Sequence, residues 1–412
     1  MLKRIPVEQV RLGMFIHELG GSWMDHPFWR SAFLLEEPKD LQTLLSTRLQ
    51  TVWIDTDKGL DVEDCEGVET EQAIAENVEA TLAQASIPAA HAERVSVERE
   101  AARAVKVCAQ SRQAVTSMFH EARMGRALNA DDALPIVDEI STSVMRNPGA
   151  LISLARLKNK DDYTYMHSVA VCALMVSLAR QLGLDGEQTR QAGLAGLLHD
   201  VGKMMVPPEL LNKPGKLTDA EFEAVKSHPV EGYKLLLGGE GIGDISLDVC
   251  LHHHEKMDGS GYPERLSAEQ ISLYAKMGAV CDVYDAITSN RPYKNGWEPA
   301  ESLRKMAEWS KGHFDQRIFQ AFVRSVGIYP TGSLVSLESG RLGVVMEQTG
   351  KSLLTPVVKV FFSIKSNCRI QPEVIDMSSP ACKDKIVSYE DPVKWKIADI
   401  QELWSGVAAA TW

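Results

Sequence analysis

The sequence has no cysteine framework. Its seven cysteines are an odd number, and no two of them form a CxxC pair. Closely spaced, even sets indicate disulfides or a zinc site, so this scatter predicts reduced thiols in a cytosolic protein. The seven are Cys65, Cys108, Cys172, Cys250, Cys281, Cys368 and Cys382.

The sequence also lacks a hydrophobic segment long enough to cross a membrane. It has no run of about 18 apolar residues, and the first ten residues, MLKRIPVEQV, do not contain the apolar core of a signal peptide. We therefore expect a cytoplasmic protein that does not interact with a membrane.

Positive charge is scarce as well. Lys and Arg number 44 against 56 Asp and Glu, which gives a net charge of −12. This balance disfavours non-specific binding to nucleic-acid polymers or membrane surfaces, so an anionic ligand would need a local group of basic residues. With 412 residues, 44% of them hydrophobic, the chain can form a large core and two or three domains.

The pattern along the chain predicts four segments. Residues 1–65 alternate short apolar runs with turn residues and one helix-like piece, Pro38 to Leu49, and so indicate a small α+β module. Residues 66–125 are rich in Glu, Ala, Gln and Val and indicate a charged, partly helical linker. We interpret the aromatic group of the first segment as packing residues rather than a ligand surface: Trp23, His26, Phe28 and Trp29.

Residues 126–327 show helical periodicity, and residues 328–412 contain β-rich runs between Gly-containing turns. The predicted fold is therefore mainly α, with an all-helical domain between the N-terminal module and a small C-terminal β extension. Asp185 is placed to cap a helix that ends at His199, and His228 is expected on the helix that follows Thr218. Two pairs have the spacing of a capping box, Thr218 with Glu221 and Ser267 with Gln270.

The stretch LAGLLHDVGK, residues 194–203, places His199 and Asp200 side by side at the end of an apolar helix. An isolated His-Asp pair is more often a hydrogen bond at a helix end, but the two can also bind a divalent metal. Further imidazoles and one carboxylate recur on the neighbouring predicted helices: His167, His228, His253, His254 and Asp282.

One such histidine is readily explained as a core residue, but five histidines and two aspartates are not, because each buried polar group needs a partner. Two divalent metal ions would supply those partners. Imidazole and carboxylate ligands without thiolates suit iron or manganese, and Asp200 is the expected bridge. Two metals roughly 3.5–4 Å apart can activate a bridging water, which indicates hydrolysis of a phosphate ester.

The chain resembles the HD-GYP family, a branch of the HD-domain metal-dependent phosphohydrolases that degrades cyclic di-GMP. The resemblance covers about residues 140–325, which would form an HD-type catalytic domain. It is carried by HDVGK (199–203), KPGKLT (213–218), SHP (227–229), HHE with DGSGYP (253–263) and DVYDAITSNRPYK (282–294). Residues 1–60 resemble the module that often precedes such domains.

By position, the resemblance implies one metal at His167, His199, Asp200 and Asp282, and a second at Asp200, His228, His253 and His254. Asp200 and Lys203 would be the catalytic residues, with Lys203 beside the scissile phosphate. Arg291 and Lys294 would grip phosphate, although either is also explained as a surface cation. Lys213 is a weaker candidate for the same task.

Three further positions bear on the site. Tyr262 is interpreted equally well as a ligand contact or as a brace for its loop, and Asp285 could contact substrate, orient a ligand group or hold its own helix. Some family members have a Glu one helical turn before the first His, where it helps to hold a third metal. That position is Tyr163 here, so we expect a binuclear site.

The leading hypothesis is a phosphodiesterase that opens cyclic di-GMP to pGpG, and on to GMP in a second cut, through a metal-bridged hydroxide. One alternative is a cyclic di-GMP receptor with a slow metal site that signals through its flanking domains. Another is an HD phosphohydrolase acting on other nucleotides, which GYP and RPYK disfavour. The sequence leaves open a homodimer and a protein partner at the GYP loop or the N-terminal module.

Overall fold

The computed structural model describes residues 1–19, 32–47, 49–63, 67–84, 95–156, 163–211, 213, 215, 217–289, 296–349 and 352–407. The chain divides into two compact units, Met1–Ala83 and Gln84–Trp412. Within the described ranges, no helix combines the length and the hydropathy needed to cross a bilayer. The described cysteines are all free thiols, and Cys65 lies outside the described residues.

The first unit is built on a five-stranded antiparallel sheet in the order β3-β2-β4-β1-β5. Apolar side chains from the strands and from α1 form one core, with Ile16, Leu44 and Ile54 fully buried. This confirms the predicted α+β module, although α1 ends four residues before the predicted Leu49. The aromatic group at residues 23–29 lies outside the described residues. The elements are β1 (Leu2–Pro6), β2 (Phe15–Leu19), β3 (Phe33–Leu34), α1 (Pro38–Leu45), β4 (Thr51–Asp55), β5 (Glu69–Thr70) and α2 (Glu71–Gln84).

The second unit contains the helical bundle. Its centre is α6, which is buried from Met166 to Ala179 and packs against α3, α4, α5, α7, α12 and α14. The helices are α3 (Val97–Arg123), α4 (Ala130–Arg146), α5 (Pro148–Ala155), α6 (Tyr163–Gln181), α7 (Gly186–Leu198), α8 (Pro208–Leu211), α9 (Asp219–Val225), α10 (His228–Leu237), α11 (Asp244–His252), α12 (Leu273–Thr288), α13 (Pro299–His313) and α14 (Gln316–Val326).

The predicted helix starts are confirmed where the signal is a cap. Asp185 forms a capping box with Gln188 at the start of α7, and Thr218 forms one with Glu221 at the start of α9. The Ser267 backbone amide donates to Gln270 Oε1 at 2.9 Å, as the predicted pairing requires, but this contact lies in a turn, and α12 begins six residues after Ser267.

The placement of His228 on the helix after Thr218 is wrong. α9 ends at Val225, and His228 is the first residue of the next helix, α10. The physical reason is Pro229, whose ring excludes a preceding helical turn but is well tolerated in the first turn of a new helix.

The region predicted as a linker contains a long packed helix. α3 has 27 residues and buries Ala104, Val115 and Phe119 against the bundle. The buried carboxylate of Glu100 accepts hydrogen bonds from Arg146, at 2.7 and 2.8 Å, and from Ser143 at 2.7 Å. The predicted domain boundaries at 65, 125 and 327 stay a prediction, and the break between compact units lies at residue 83.

The C-terminal extension is a second antiparallel sheet in the order β10-β6-β7-β8-β9. Lys359 of β8 contacts Glu98 of α3 at 2.8 Å and the carbonyl oxygen of Leu403 at 2.7 Å, so both α3 and the last helix are tied to this sheet. The sheet confirms the predicted C-terminal β extension. The elements are β6 (Leu334–Leu337), β7 (Arg341–Glu347), β8 (Val357–Ser363), β9 (Cys368–Asp376), β10 (Ile386–Tyr389) and α15 (Ile400–Ser405).

Candidate metal centre

The His-Asp pair lies where α7 gives way to a short 3-10 turn at Val201–Met205. Both side chains are buried, with 1% of His199 and none of Asp200 exposed. His199 Nδ1 donates to the carbonyl oxygen of Gly196 at 2.8 Å, so its Nε2 faces the interior of the bundle. The helix end therefore delivers an imidazole nitrogen and a carboxylate to the same buried point.

Four side chains from three helices and the turn form a first ligand group, in which the ligand atoms lie within 4.8 Å of one another: His167, His199, Asp200 and Asp282. His167 Nε2 is 2.9 Å from Asp282 Oδ1 and 3.3 Å from Asp200 Oδ2. His199 Nε2 is 3.4 Å from the same Asp200 oxygen. This group combines two imidazoles with two carboxylates.

Three imidazoles form a second ligand group by the same measure: His228, His253 and His254. The Nε2 atoms of His228 and His253 are 3.4 Å apart. The other ring nitrogens of these two residues donate to backbone carbonyl oxygens, of Val225 at 2.8 Å and of Val249 at 3.0 Å, which turns Nε2 toward the centre.

Asp200 connects the two ligand groups. Its Oδ2 faces His167 and His199, whereas its Oδ1 lies 3.3 Å from His228 Nε2 and 3.8 Å from His253 Nε2. One carboxylate thus presents one oxygen to each group.

Two of these buried atoms, His199 Nε2 and Asp200 Oδ1, have no hydrogen-bond partner among the described residues. An unpaired buried polar atom is costly, and a divalent cation is a partner that both an imidazole nitrogen and a carboxylate oxygen accept. The residues therefore fit a divalent metal centre, and the cluster indicates divalent metal binding by this chain.

The electrostatics put most of the ligands in the protonation state that metal binding requires. Burial alone would raise the pKa of Asp200 and of Asp282. Lys203 and nearby imidazoles nevertheless hold the pKa of the Asp200 carboxyl well below its usual range, and nearby imidazoles do the same for Asp282. Burial and the nearby His199 lower the pKa of His253 to about 3, and burial with the nearby His253 lowers that of His254. Ionised carboxylates and neutral imidazoles are the ligand forms.

His167 and His199 differ from His253 and His254, because nearby carboxylates outweigh burial and raise the pKa of both. For His167, contacts with Asp200, Asp282 and Asp285 raise the pKa to about 9. Its ring stacks on Tyr163, with 6.0 Å between the ring centroids and an interplanar angle of 8°.

The predicted phosphate-binding residues have different surroundings. Lys203 contacts the carboxylate of Asp200 directly, and this contact keeps the pKa of its ammonium raised although burial acts to lower it. Lys213 is paired with Glu221 at 2.6 Å. Arg291 and Lys294 lie outside the described residues.

Asp285 was assigned to the substrate-binding set from the sequence, and a substrate contact stays a prediction. Its Oδ2 is 2.5 Å from His167 Nδ1, on the side of the ring opposite to the nitrogen that faces Asp200 and Asp282. Because the imidazole ring stands between Asp285 and the ligand atoms, the structure supports the orienting role that the sequence left open.

Tyr262 stacks on His254, with 4.7 Å between the ring centroids, and its backbone amide donates to the carbonyl oxygen of His254 at 3.2 Å. The loop around it is anchored by buried Glu255, whose carboxylate accepts three backbone amides. Lys226 lies beside this loop, with its ammonium 5.6 Å from the Tyr262 ring centroid and 2.7 Å from a carboxylate oxygen of Glu223.

Residues 2–133 match a family described as a domain of unknown function, DUF3391, and residues 146–318 match the HD domain family. The chain is 55% identical over 412 residues to the cyclic di-GMP phosphodiesterase PA4108 of Pseudomonas aeruginosa, which covers 100% of this chain and 97% of that protein.

Two other relatives match a shorter part of the chain. The cyclic di-GMP phosphodiesterase response regulator RpfG of Xanthomonas campestris is 43% identical over 148 residues, 36% of this chain and 39% of that protein. The 3′3′-cGAMP-specific phosphodiesterase 1 of Vibrio cholerae is 37% identical over 169 residues, 40% of this chain and 38% of that protein.

Proposed function

The chain belongs to the HD-GYP family of cyclic di-GMP phosphodiesterases, and we propose that it hydrolyses cyclic di-GMP to pGpG with the help of two divalent metal ions. The position of Asp200 supports this proposal most strongly, since its two oxygens face two separate ligand groups. A single metal would need only one of these groups. Iron or manganese suits the imidazole and carboxylate donors.

Two divalent ions, when bound, would lower the pKa of a coordinated water and neutralise negative charge on the phosphoryl oxygens. The proposed holders of the first ion are His167, His199, Asp200 and Asp282, and those of the second are Asp200, His228, His253 and His254.

Lys203 is the proposed electrostatic catalyst. Its side chain is 21% exposed and its ammonium touches Asp200, so the positive charge lies next to the proposed metal ligands. A fixed positive charge at this point would stabilise the charge that builds on the phosphoryl oxygens during cleavage. For Arg291 and Lys294, phosphate binding stays a prediction of the sequence, as do a homodimer and a protein partner at the GYP loop or the N-terminal module.

The test compares the wild-type protein with Asp200→Asn after loading with manganese or ferrous iron. We expect the wild type to convert cyclic di-GMP to pGpG or GMP and the variant to lose both metal and turnover, because the carboxylate serves both ligand groups. Products are separated by chromatography, and metal is measured by plasma mass spectrometry. Asp248→Asn is the matched control, since Asp248 pairs with His252 outside both ligand groups.

A wild type that binds cyclic di-GMP and two metals but releases neither product would instead be a receptor, and the proposed activity would be wrong. Parallel assays with 3′3′-cGAMP measure the preference between the two cyclic dinucleotides.

A further inference from the structure

His167 is the one described metal-ligand candidate whose two ring nitrogens both face carboxylates on a single helix. Nε2 is 2.9 Å from Asp282 Oδ1, and Nδ1 is 2.5 Å from Asp285 Oδ2. Asp282 and Asp285 lie three residues apart on α12, so they project from the same face of that helix. α12 therefore holds the imidazole from both sides.

The contact with Asp285 decides which nitrogen can bind a metal. An imidazole that donates its Nδ1 hydrogen to a carboxylate presents the lone pair of Nε2, and the negative charge makes that lone pair a better donor. His199, His228 and His253 donate instead to backbone carbonyl oxygens, which carry no net charge. The contact with Asp285 therefore strengthens Nε2 of His167 as a metal donor more than the carbonyl contacts strengthen Nε2 of the other three histidines.

Asp285 is itself held in place. It is 2% exposed, and its Oδ1 lies 3.3 Å from the hydroxyl of Ser289, one helical turn further along. It also lines a cavity of about 40 Å³ bordered by Thr288 and Arg324, which is separate from both ligand groups.

We propose that Asp285 is a positioning residue that acts through His167 to strengthen metal binding by the first ligand group, so that the two metal positions differ in affinity. The first group has two carboxylates among its ligands and Asp285 behind it, whereas the second has three imidazoles and shares only Asp200. The first position keeps its metal under conditions that empty the second. This inference rests on the proposed two-metal function.

The experiment measures metal release. Full-length wild type and Asp285→Asn are loaded with Co²⁺ and dialysed against graded concentrations of a chelator, and cobalt per chain is determined by plasma mass spectrometry. The wild type should lose its metals in two steps. In the variant the tighter step should move to a roughly 10- to 100-fold lower chelator concentration, while the weaker step stays in place. The visible absorption spectrum of the tightly held Co²⁺ should shift as well.

Asp248→Asn is again the matched control, because it removes the same charge from a carboxylate that is 2.8 Å from His252 Nδ1, and His252 belongs to neither ligand group. Its release curve should match the wild type. Ser289→Ala provides a milder second variant, which should weaken the tighter step in the same direction but by less.

Identical release curves for the wild type and Asp285→Asn would overturn the inference, and so would equal weakening of both steps. If Asp285→Asn does not fold, as judged by circular dichroism of the metal-free protein, the Ser289→Ala curve decides in the same way. If the wild type binds two metals and cleaves cyclic di-GMP but Asp285→Asn releases metal as the wild type does, only this inference is contradicted. A wild type that binds no metal removes the proposed function.

Discussion

Gly202 and Gly232 cross with their backbones in direct contact. A Cβ atom on Gly202 would lie 1.9 Å from the carbonyl oxygen of His228 and 2.4 Å from the backbone nitrogen of Gly232. At this crossing the 3-10 turn that carries Lys203 meets α10, which begins at His228. The two glycines therefore set the spacing between the turn after Asp200 and the helix that bears a ligand of the second group.

Gly202→Ala should push the turn and α10 apart, because the clashing atoms belong to backbone and cannot rotate away. We expect the free energy of unfolding to fall by about 1–3 kcal/mol or more. Turnover should fall on the order of 100-fold, since small displacements of catalytic groups are that costly. Urea unfolding and steady-state kinetics measure the two effects.

The control for this variant is Gly186→Ala at the first residue of α7, where an added Cβ would have nothing within 4 Å. It should keep full activity and match or slightly exceed the wild-type stability. Wild-type turnover by Gly202→Ala would contradict the role assigned to the glycine crossing.

Lys203→Met and Lys213→Met separate two lysines that the sequence offered for phosphate binding. Removing the Lys203 ammonium should lower kcat by roughly 10²- to 10³-fold, with metal content unchanged, because the charge acts on the transition state. Lys213→Met should change kcat little, since Glu221 already pairs with that ammonium at 2.6 Å. A larger kinetic loss for Lys213→Met than for Lys203→Met would reverse the two assignments.

Glu100→Ala tests whether α3 is part of the catalytic unit. The substitution removes the fully buried carboxylate to which Arg146 and Ser143 donate hydrogen bonds. The Arg146 side chain is 29% exposed, so it can turn toward water. We therefore expect a loss of about 1–3 kcal/mol in the free energy of unfolding rather than the larger loss typical of a fully buried charge.

On the same helix, Glu98→Ala is the control. Glu98 is 51% exposed and pairs with Lys359 at the surface, so its removal should cost at most about 1 kcal/mol. Equal losses for the two variants would indicate that the buried network contributes nothing beyond a surface pair.

His252 should make stability depend on pH. Burial acts to lower its pKa, but contacts with Asp248 and Glu264 outweigh burial and raise it. The folded pKa is thus above the unfolded value of about 6.5, so the stabilisation is complete below that pH and is lost as pH rises through the folded pKa. His252→Gln should therefore lower the free energy of unfolding by up to about 1 kcal/mol at low pH and by less at high pH.

The measurement is urea unfolding of the metal-free protein at about pH 5.5 and about pH 9, which avoids the pH dependence of metal affinity itself. An equal loss for His252→Gln at both pH values would show that the raised pKa contributes no stability.

Much of the helical architecture could be predicted because its signals are local. The capping boxes at Asp185 and Thr218 join residues three positions apart, so they form wherever a helix starts and need no distant partner. The same reasoning explains one error. Ser267 and Gln270 make the local contact in a turn, because nothing in their spacing decides whether a helix follows.

Other elements could not be predicted because their patterns are weak. The first part of α3 buries small residues such as Ala101, Ala104 and Cys108, which do not stand out as an apolar face. β9 is mostly exposed, so its side chains show no alternation. α3 packs against helices that follow it along the chain, and β9 is held by pairing with the preceding strand β8.

The amino-acid sequence by itself determined the kinds of donor atom available and the helices or turns on which they stand. The sequence also made Asp200 the expected bridge, but only the tertiary structure decided which of its oxygens faces each ligand group and that Asp285 faces the far nitrogen of His167. The physical reason is that helical spacing gives the face from which a side chain projects, whereas its partner depends on the element packed opposite. Asp282 and Asp285 share a face, and the path of α6 across α12 gives them different roles.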